Sequence, residues 1–130
     1  MIRLLLDTHT FLWFVTGNDK LSAGWRNLIR DPDNAVFLSV VSVWDAVIKH
    51  AAGKLPMAEP PEDYLPRDRE RHGFFSLPFD EDTIRLLARL PSIHKDPFDR
   101  ILIAQALQHD LTLLTVDADV RAYPVKVLDP

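Results

Sequence analysis

The chain has no cysteine among its 130 residues, so neither a disulfide scaffold nor a thiolate metal site is open to it. A long apolar run is also missing. The longest near-apolar stretch, Ala35 to Trp44, is broken by Ser39 and Ser42 and falls short of a bilayer crossing. There is no excess of positive charge either: the formal net charge is −4, which excludes a surface built throughout to grip nucleic acid but leaves room for a local basic patch. Glutamate is scarce, because 15 of the 19 carboxylates are Asp and 4 are Glu. That skew favours the short side chain suited to caps, turns and rigid oxygen ligands.

What is present has the balance of a globular protein, with 47% hydrophobic and 26% charged residues. The length gives one full hydrophobic core, so residues 1–130 are expected to form a single domain. Arg3 and Asp7 bracket the opening apolar run, which is too short for a secretory signal, and no membrane span is expected. The cytoplasm is therefore the expected compartment. No internal repeat, low-complexity tract or linker interrupts the chain.

Apolar runs of strand length occur at Ile2–Leu6, Val36–Val40, Phe74–Leu77, Thr112–Val116 and Val125–Leu128. Helical patterns lie between them at about Thr8–Thr16, Ser22–Arg30, Ser42–Ala52, Pro61–His72, Asp80–Leu90 and Pro97–His109, with a short turn of helix near Asp119–Ala122. Gly17, Gly53 and Gly73 stand where a left-handed residue closes a helix. Pro66 falls inside the fourth pattern, which predicts a kink or a later start. Strands that are nearly all apolar suit a parallel sheet covered on both faces. The pattern predicts an α/β fold in three layers, α/β/α, with a central mostly parallel sheet of about five strands. Ligands of such sheets bind beyond the carboxyl ends of the strands.

Four carboxylates reach that edge by separate routes. Asp7 ends the first strand, Asp117 follows the strand Thr112–Val116, and Asp45 and Asp99 are placed in the first turns of two helices. Each has an ordinary structural explanation. Asp7 would cap the helix opening at Thr8. Asp45 stands three residues after Ser42, as in a capping box, and one turn before Lys49. Asp99 would favour the helix dipole after Asp96 and Pro97, and Asp117 and Asp119 would serve a turn. The helix carrying Asp99 is nearly encircled by Phe98, Ile101, Leu102, Ile103, Ala104, Ala106 and Leu107, where an unpaired carboxylate is costly. Carboxylates separated by 38, 54 and 18 positions that meet on one rim repel each other unless a proton or a cation lies among them. Oxygen ligands without Cys favour Mg²⁺ or Mn²⁺. The five histidines are not spaced as a metal set, and His9 and His94 are nearest the rim. Candidate cations for a nucleic-acid backbone are Lys49, Lys54, Lys95, Arg100 and the group Arg67, Arg69, Arg71, where Asp68 and Glu70 interleave. Arg100 directly follows Asp99 and would brace it. Phe11, Trp13, Phe14 and Trp25 are expected to be mostly core.

The strings LLLDTH (Leu4–His9), SVVSVWDAVIK (Ser39–Lys49), HKDPFDRILIAQA (His94–Ala106) and LLTVD (Leu113–Asp117) together resemble the PIN-domain family, and within it the VapC-type toxins of prokaryotic toxin–antitoxin pairs. The resemblance covers nearly the whole chain in order and spacing. It implies that Asp7, Asp45, Asp99 and Asp117 bind metal, with Asp96 close by and hydroxyls from Thr8 and Thr115. It also implies hydrolysis of RNA phosphodiesters by water activated on Mg²⁺ or Mn²⁺, leaving 5′-phosphate and 3′-hydroxyl ends and requiring no His. One departure is that the family usually has Glu where this chain has Asp45, and the shorter arm can act through a water. The resemblance further implies a cognate antitoxin, whose C-terminal segment lies across a groove bounded by the first, second and fourth helices, and a homodimer. Two alternatives stand beside it. One is a PIN module that binds RNA or protein without catalysis. The other is a haloacid-dehalogenase-type phosphatase, whose motif wants a second Asp where this chain has His9.

Overall fold

A computed structural model describes all residues 1–130. The chain alternates strand and helix: β1 (Arg3–Leu6), α1 (Thr8–Thr16), α2 (Ala23–Arg30), β2 (Ala35–Ser39), α3 (Val40–Ala51), α4 (Pro61–Arg71), β3 (Phe75–Leu77), α5 (Glu81–Arg89), α6 (Pro97–His109), β4 (Thr112–Leu114) and α7 (Ala118–Arg121). The sheet has order β3-β2-β1-β4, and every pairing is parallel. Alternation along β1 divides the core in two. Leu4 and Leu6 join Phe11, Phe14, Trp25, Leu38 and Leu65 on one face, while Leu5 joins Leu102, Ile103, Leu113 and Val120 on the other. Helices α1 to α4 supply the first cluster and α6 and α7 the second, which is the expected three-layer α/β fold.

The sheet has four strands rather than about five. The run Val125–Leu128 makes one isolated parallel bridge, Leu113 with Val127, and a bond from Leu113 N to Lys126 O at 2.8 Å. Pro124 and Pro130 flank this run, and proline cannot donate to a ladder. A second difference lies in α3. Ser39 Oγ accepts from Val41 N at 3.0 Å, so the helix begins at Val40 and Asp45 falls in its second turn, not its first. Ser42 and Asp45 therefore do not form a capping box. Helix α4 continues through Pro66 from Pro61 to Arg71. Gly17, Gly53 and Gly73 take positive φ beyond the ends of α1, α3 and α4. No helix is long and apolar enough to cross a membrane.

Because α1 follows β1 onto one face while α7 follows β4 onto the other, the crevice at the carboxyl ends opens between these two central strands. Two bonds fix its floor: Asp7 N donates to Leu114 O at 3.3 Å, and Thr10 Oγ1 donates to the same carbonyl at 3.1 Å.

Candidate active site

A cavity of about 470 Å³ lies at this crevice, lined by Asp7, Asp45, Asp96, Asp99 and Asp117 together with Thr8, His9, Trp13, Lys20, Lys49, His94 and Val116. All four acids singled out from the sequence reach it, as does Asp96. Three of the five carboxylates are also helix caps. Asp7 Oδ1 accepts from Thr10 N at 2.8 Å, Asp96 Oδ1 from Phe98 N at 2.8 Å, and Asp117 Oδ1 from Asp119 N at 2.8 Å. Capping aims these side chains along the helix axes, so the positive ends of α1, α6 and α7 converge on the cavity.

Asp45 is reached differently. It is buried on α3, where Thr8 Oγ1 donates to its Oδ2 at 2.7 Å and Lys49 Nζ lies 2.8 Å from its Oδ1. Lys49 also lies 3.5 Å from Asp96 Oδ2. Burial alone would lower the affinity of Lys49 for its proton, but the bond to Asp45 and the charges of Asp45, Asp96 and Asp99 outweigh it and raise the pKa.

His94 is central to the site, although spacing places it only near the rim. Its Nε2 lies 3.1 Å from Asp99 Oδ2 and 3.0 Å from Asp117 Oδ2, and its Nδ1 accepts from Asp96 N at 3.0 Å. The amide bond requires an unprotonated Nδ1, so the neutral ring carries its proton on Nε2 and donates it to Asp117, with Asp99 Oδ2 close by but not hydrogen-bonded. Burial opposes a second proton, yet the Asp117 bond and the Asp117, Asp99 and Asp96 charges raise the His94 pKa overall, against the Asp96 amide, whose bond the charged ring must give up. Asp117 moves the other way. Burial would raise its pKa, but the His94 bond and the amides of Val120 and Asp119 hold it below the ordinary value. His94, Asp117 and Asp119 lie close enough to share an ion, although His94 would have to turn its Nε2 lone pair outward and give up the Asp96 amide to do so. The signal for His94 in the sequence is its place two residues before Asp96. It stands in a loop where no periodicity exists to orient it.

Asp99 carries the electrostatic signature of the cavity. Burial, and then the charges of Asp96 and Asp7, push its pKa up to about 7, against the opposing pull of His94. A carboxyl held this far up by burial and by neighbouring carboxylates marks a pocket where negative charge is poorly compensated. Asp7 Oδ2 and Asp99 Oδ1 have no protein partner, so oxygen donors stand ready for a cation. This hard, oxygen-rich set fits Mg²⁺ or Mn²⁺.

The auxiliary residues divide. Thr8 holds Asp45, and the buried Thr115 accepts from Asp117 N at 3.1 Å, so both act behind the carboxylates. Arg100 does not brace Asp99: its guanidinium turns to the carbonyls of Leu87 and Leu90 at 3.4 and 3.3 Å, because α5 packs along α6 and presents the carbonyls at its C-terminal end there. Arg67 is engaged by Glu59 at 2.6 Å and Arg71 lies 3.5 Å from Asp68, which makes that group a salt-bridged helix face. Lys54 and Lys95 line a shallower groove beside Phe98, next to the acidic cavity. Phe11, Phe14 and Trp25 are core, whereas Trp13 lines the site.

A second cavity, about 430 Å³, adjoins the first through His9 and Trp13 and is walled by Leu12, Leu55, Met57 and Tyr64. Its walls come from α1, the connection after α3 and α4; none of its lining residues belongs to α2.

The sequence model described as PIN domain matches residues 4–126. No curated protein matches the chain. In fold the chain is similar to VapBC2 from Rickettsia felis bound to a DNA fragment from its promoter, with a TM-score of 0.72, 13% identity and 98% of each chain covered. It is also similar to DNA-bound VapBC from Salmonella typhimurium, at a TM-score of 0.68 and 16% identity over 99% of this chain and 98% of that one. VapBC-5 from Mycobacterium tuberculosis, a member of the VapBC family of toxin-antitoxin systems, aligns over 100% of both chains with a TM-score of 0.62 and 21% identity.

Proposed function

The chain belongs to the PIN-domain family, and from that premise we propose that it is a Mg²⁺- or Mn²⁺-dependent endoribonuclease, the toxin of a toxin–antitoxin pair. The observation that carries this reading is the convergence of five carboxylates on one cavity in which burial, and then the charges of Asp96 and Asp7, push the Asp99 pKa up to about 7. Asp7 and Asp99 offer oxygens without protein partners to hold the ion, Asp117 completes the rim, and Asp45 adds its charge from α3. A bound divalent ion lowers the pKa of its water and neutralises charge on the phosphate and the leaving oxygen. One carboxylate accepts the proton of the attacking water. His94 donates to Asp117 from a ring fixed by the Asp96 amide, and the same Nε2 lies 3.1 Å from Asp99, so the ring stands between the two acids.

Hydrolysis by water leaves 5′-phosphate and 3′-hydroxyl ends on the RNA. The purified chain is expected to cut RNA with Mg²⁺ or Mn²⁺, to stop when the ion is chelated, and to lose at least about a hundredfold in rate in Asp7→Asn or Asp99→Asn. Retained RNA binding with no cleavage under any divalent ion would instead establish the non-catalytic module. The phosphatase alternative fails on the family match and on His9, which stands where its motif needs an acid. The partner we propose is a cognate antitoxin, as the solved VapBC assemblies suggest, seated in the apolar cavity that adjoins the acidic one. A homodimer is the proposed assembly, measurable by light scattering.

A further inference from the structure

We infer that Lys49 is a built-in second cation of the acidic pocket, its ammonium standing between Asp45 and Asp96 where a second divalent ion would otherwise lie, so that the site takes one ion on the Asp7 and Asp99 side. This rests on the reading of the cavity as a metal-dependent nuclease centre. The two halves of the cavity differ in how their charge is met. On one side, Asp45 Oδ2 accepts from the Thr8 hydroxyl at 2.7 Å, while its buried Oδ1 accepts no aligned hydrogen bond and is met by the Lys49 ammonium as an ion pair at 2.8 Å; the same ammonium lies 3.5 Å from Asp96 Oδ2. On the other, Asp7 and Asp99 each keep an oxygen with no protein partner, and no Lys or Arg side chain reaches either of them.

The geometry follows from the helix. Asp45 and Lys49 are one turn apart on α3, so their side chains meet on one face, and the stem of Lys49 carries its charge past Asp45 to Asp96. Asp is one methylene shorter than Glu. Held by Thr8 and paired with Lys49, Asp45 is buried on its own side of the cavity and does not extend across it. An ammonium is a compact charge with three donors, which suits a place between two carboxylates. Removing that charge would leave a buried carboxylate unmatched beside Asp96, and a divalent ion is the species that would restore the balance.

The test is the number of Mn²⁺ ions bound per chain, counted by electron paramagnetic resonance of the free ion and by calorimetry. The expected result is one Mn²⁺ in the native chain and in Lys49→Arg, and two in Lys49→Gln, with the second lost again in Lys49→Gln/Asp96→Asn. A variant that leaves Lys49 in place tests the same division of the cavity: Asp45→Asn keeps the single ion with affinity reduced by less than about tenfold, while Asp99→Asn abolishes it. Two ions in the native chain, one in Lys49→Gln, or loss of the ion in Asp45→Asn would each overturn the role of Lys49 while leaving a metal-dependent nuclease in place. A native chain that binds no Mn²⁺ would overturn the nuclease reading itself, and this inference with it.

Discussion

Asp99 is the residue on which pH acts most directly. Its pKa stands at about 7 in the folded chain against an ordinary 3.8, with burial as the largest cause and the charges of Asp96 and Asp7 next. A group that binds its proton more tightly when folded stabilises the fold fully below the unfolded value, and that contribution is lost as pH rises through the folded value. The window is therefore from about pH 4 to about pH 7, and the loss is on the order of a few kcal/mol. His94, whose pKa is also raised, acts in the same direction; Asp117, whose pKa is lowered, acts only in the acid range below its ordinary value. Without divalent ions, Tm should fall by several degrees between pH 5 and pH 8, since about 1 kcal/mol shifts Tm by roughly 4 °C in a chain of this size. In Asp99→Asn that slope should flatten, and in the native chain Mn²⁺ at pH 8 should restore Tm by binding the folded state alone. A native Tm that does not change across this range would show that neither burial nor the neighbouring acids raise the Asp99 pKa.

At the scale of the element, the site is made from helix beginnings, and Asp7 shows how one side chain serves two purposes. It caps α1 through Thr10 N while its other oxygen remains without a protein partner at the cavity. Asn caps as well as Asp, whereas Ala does not. Asp7→Asn should therefore keep its stability or gain some from relieved repulsion, and Asp7→Ala should be less stable than Asp7→Asn by about 1 kcal/mol in a denaturant titration, although both should be inactive. Equal stability of the two would mean that the cap contributes nothing to α1. The same double duty explains what is legible in the sequence. For Asp7 and Asp117, capping and a place at the cavity look like competing explanations in the sequence, yet in the fold each side chain caps its helix and lines the cavity at once. Asp45 can be placed on α3 but not in the correct turn, because Val40 and Val41 continue an apolar strand pattern and only the Ser39 cap settles where the helix starts. The last apolar run has the composition of a strand, yet prolines at its ends leave it a single bridge. His94 is legible only as a neighbour of the rim, since residues 91–96 form a loop without periodicity, and its role depends on an amide bond to Nδ1 that no spacing encodes.

For the whole molecule, the question is how an anionic chain of net charge −4, with carboxylates lining its cavity, holds a polyanion. The cations that could face RNA are few and local. Lys20 and Lys49 line the cavity, Lys49 already tied to Asp45 and Asp96, and Lys54 and Lys95 flank the neighbouring groove beside Phe98. The arginines at positions 67 and 71 are held by Glu59 and Asp68 and contribute little free charge. Binding should then be weakly salt-dependent for a nucleic-acid enzyme, with local phosphate contacts and an ion in the cavity supplying the attraction. Each phosphate neutralised on a single strand contributes about −0.7 to the slope of log affinity against log salt. In the cleavage-dead Asp99→Asn background, Lys54→Gln/Lys95→Gln should flatten that slope by about 1.4, read by fluorescence anisotropy of a labelled single-stranded RNA across a KCl series. The corresponding double change of Arg67 and Arg71 to Gln should leave the slope where it was. If the arginine pair flattened it instead, the RNA path would run over α4 and away from the Lys54–Lys95 groove.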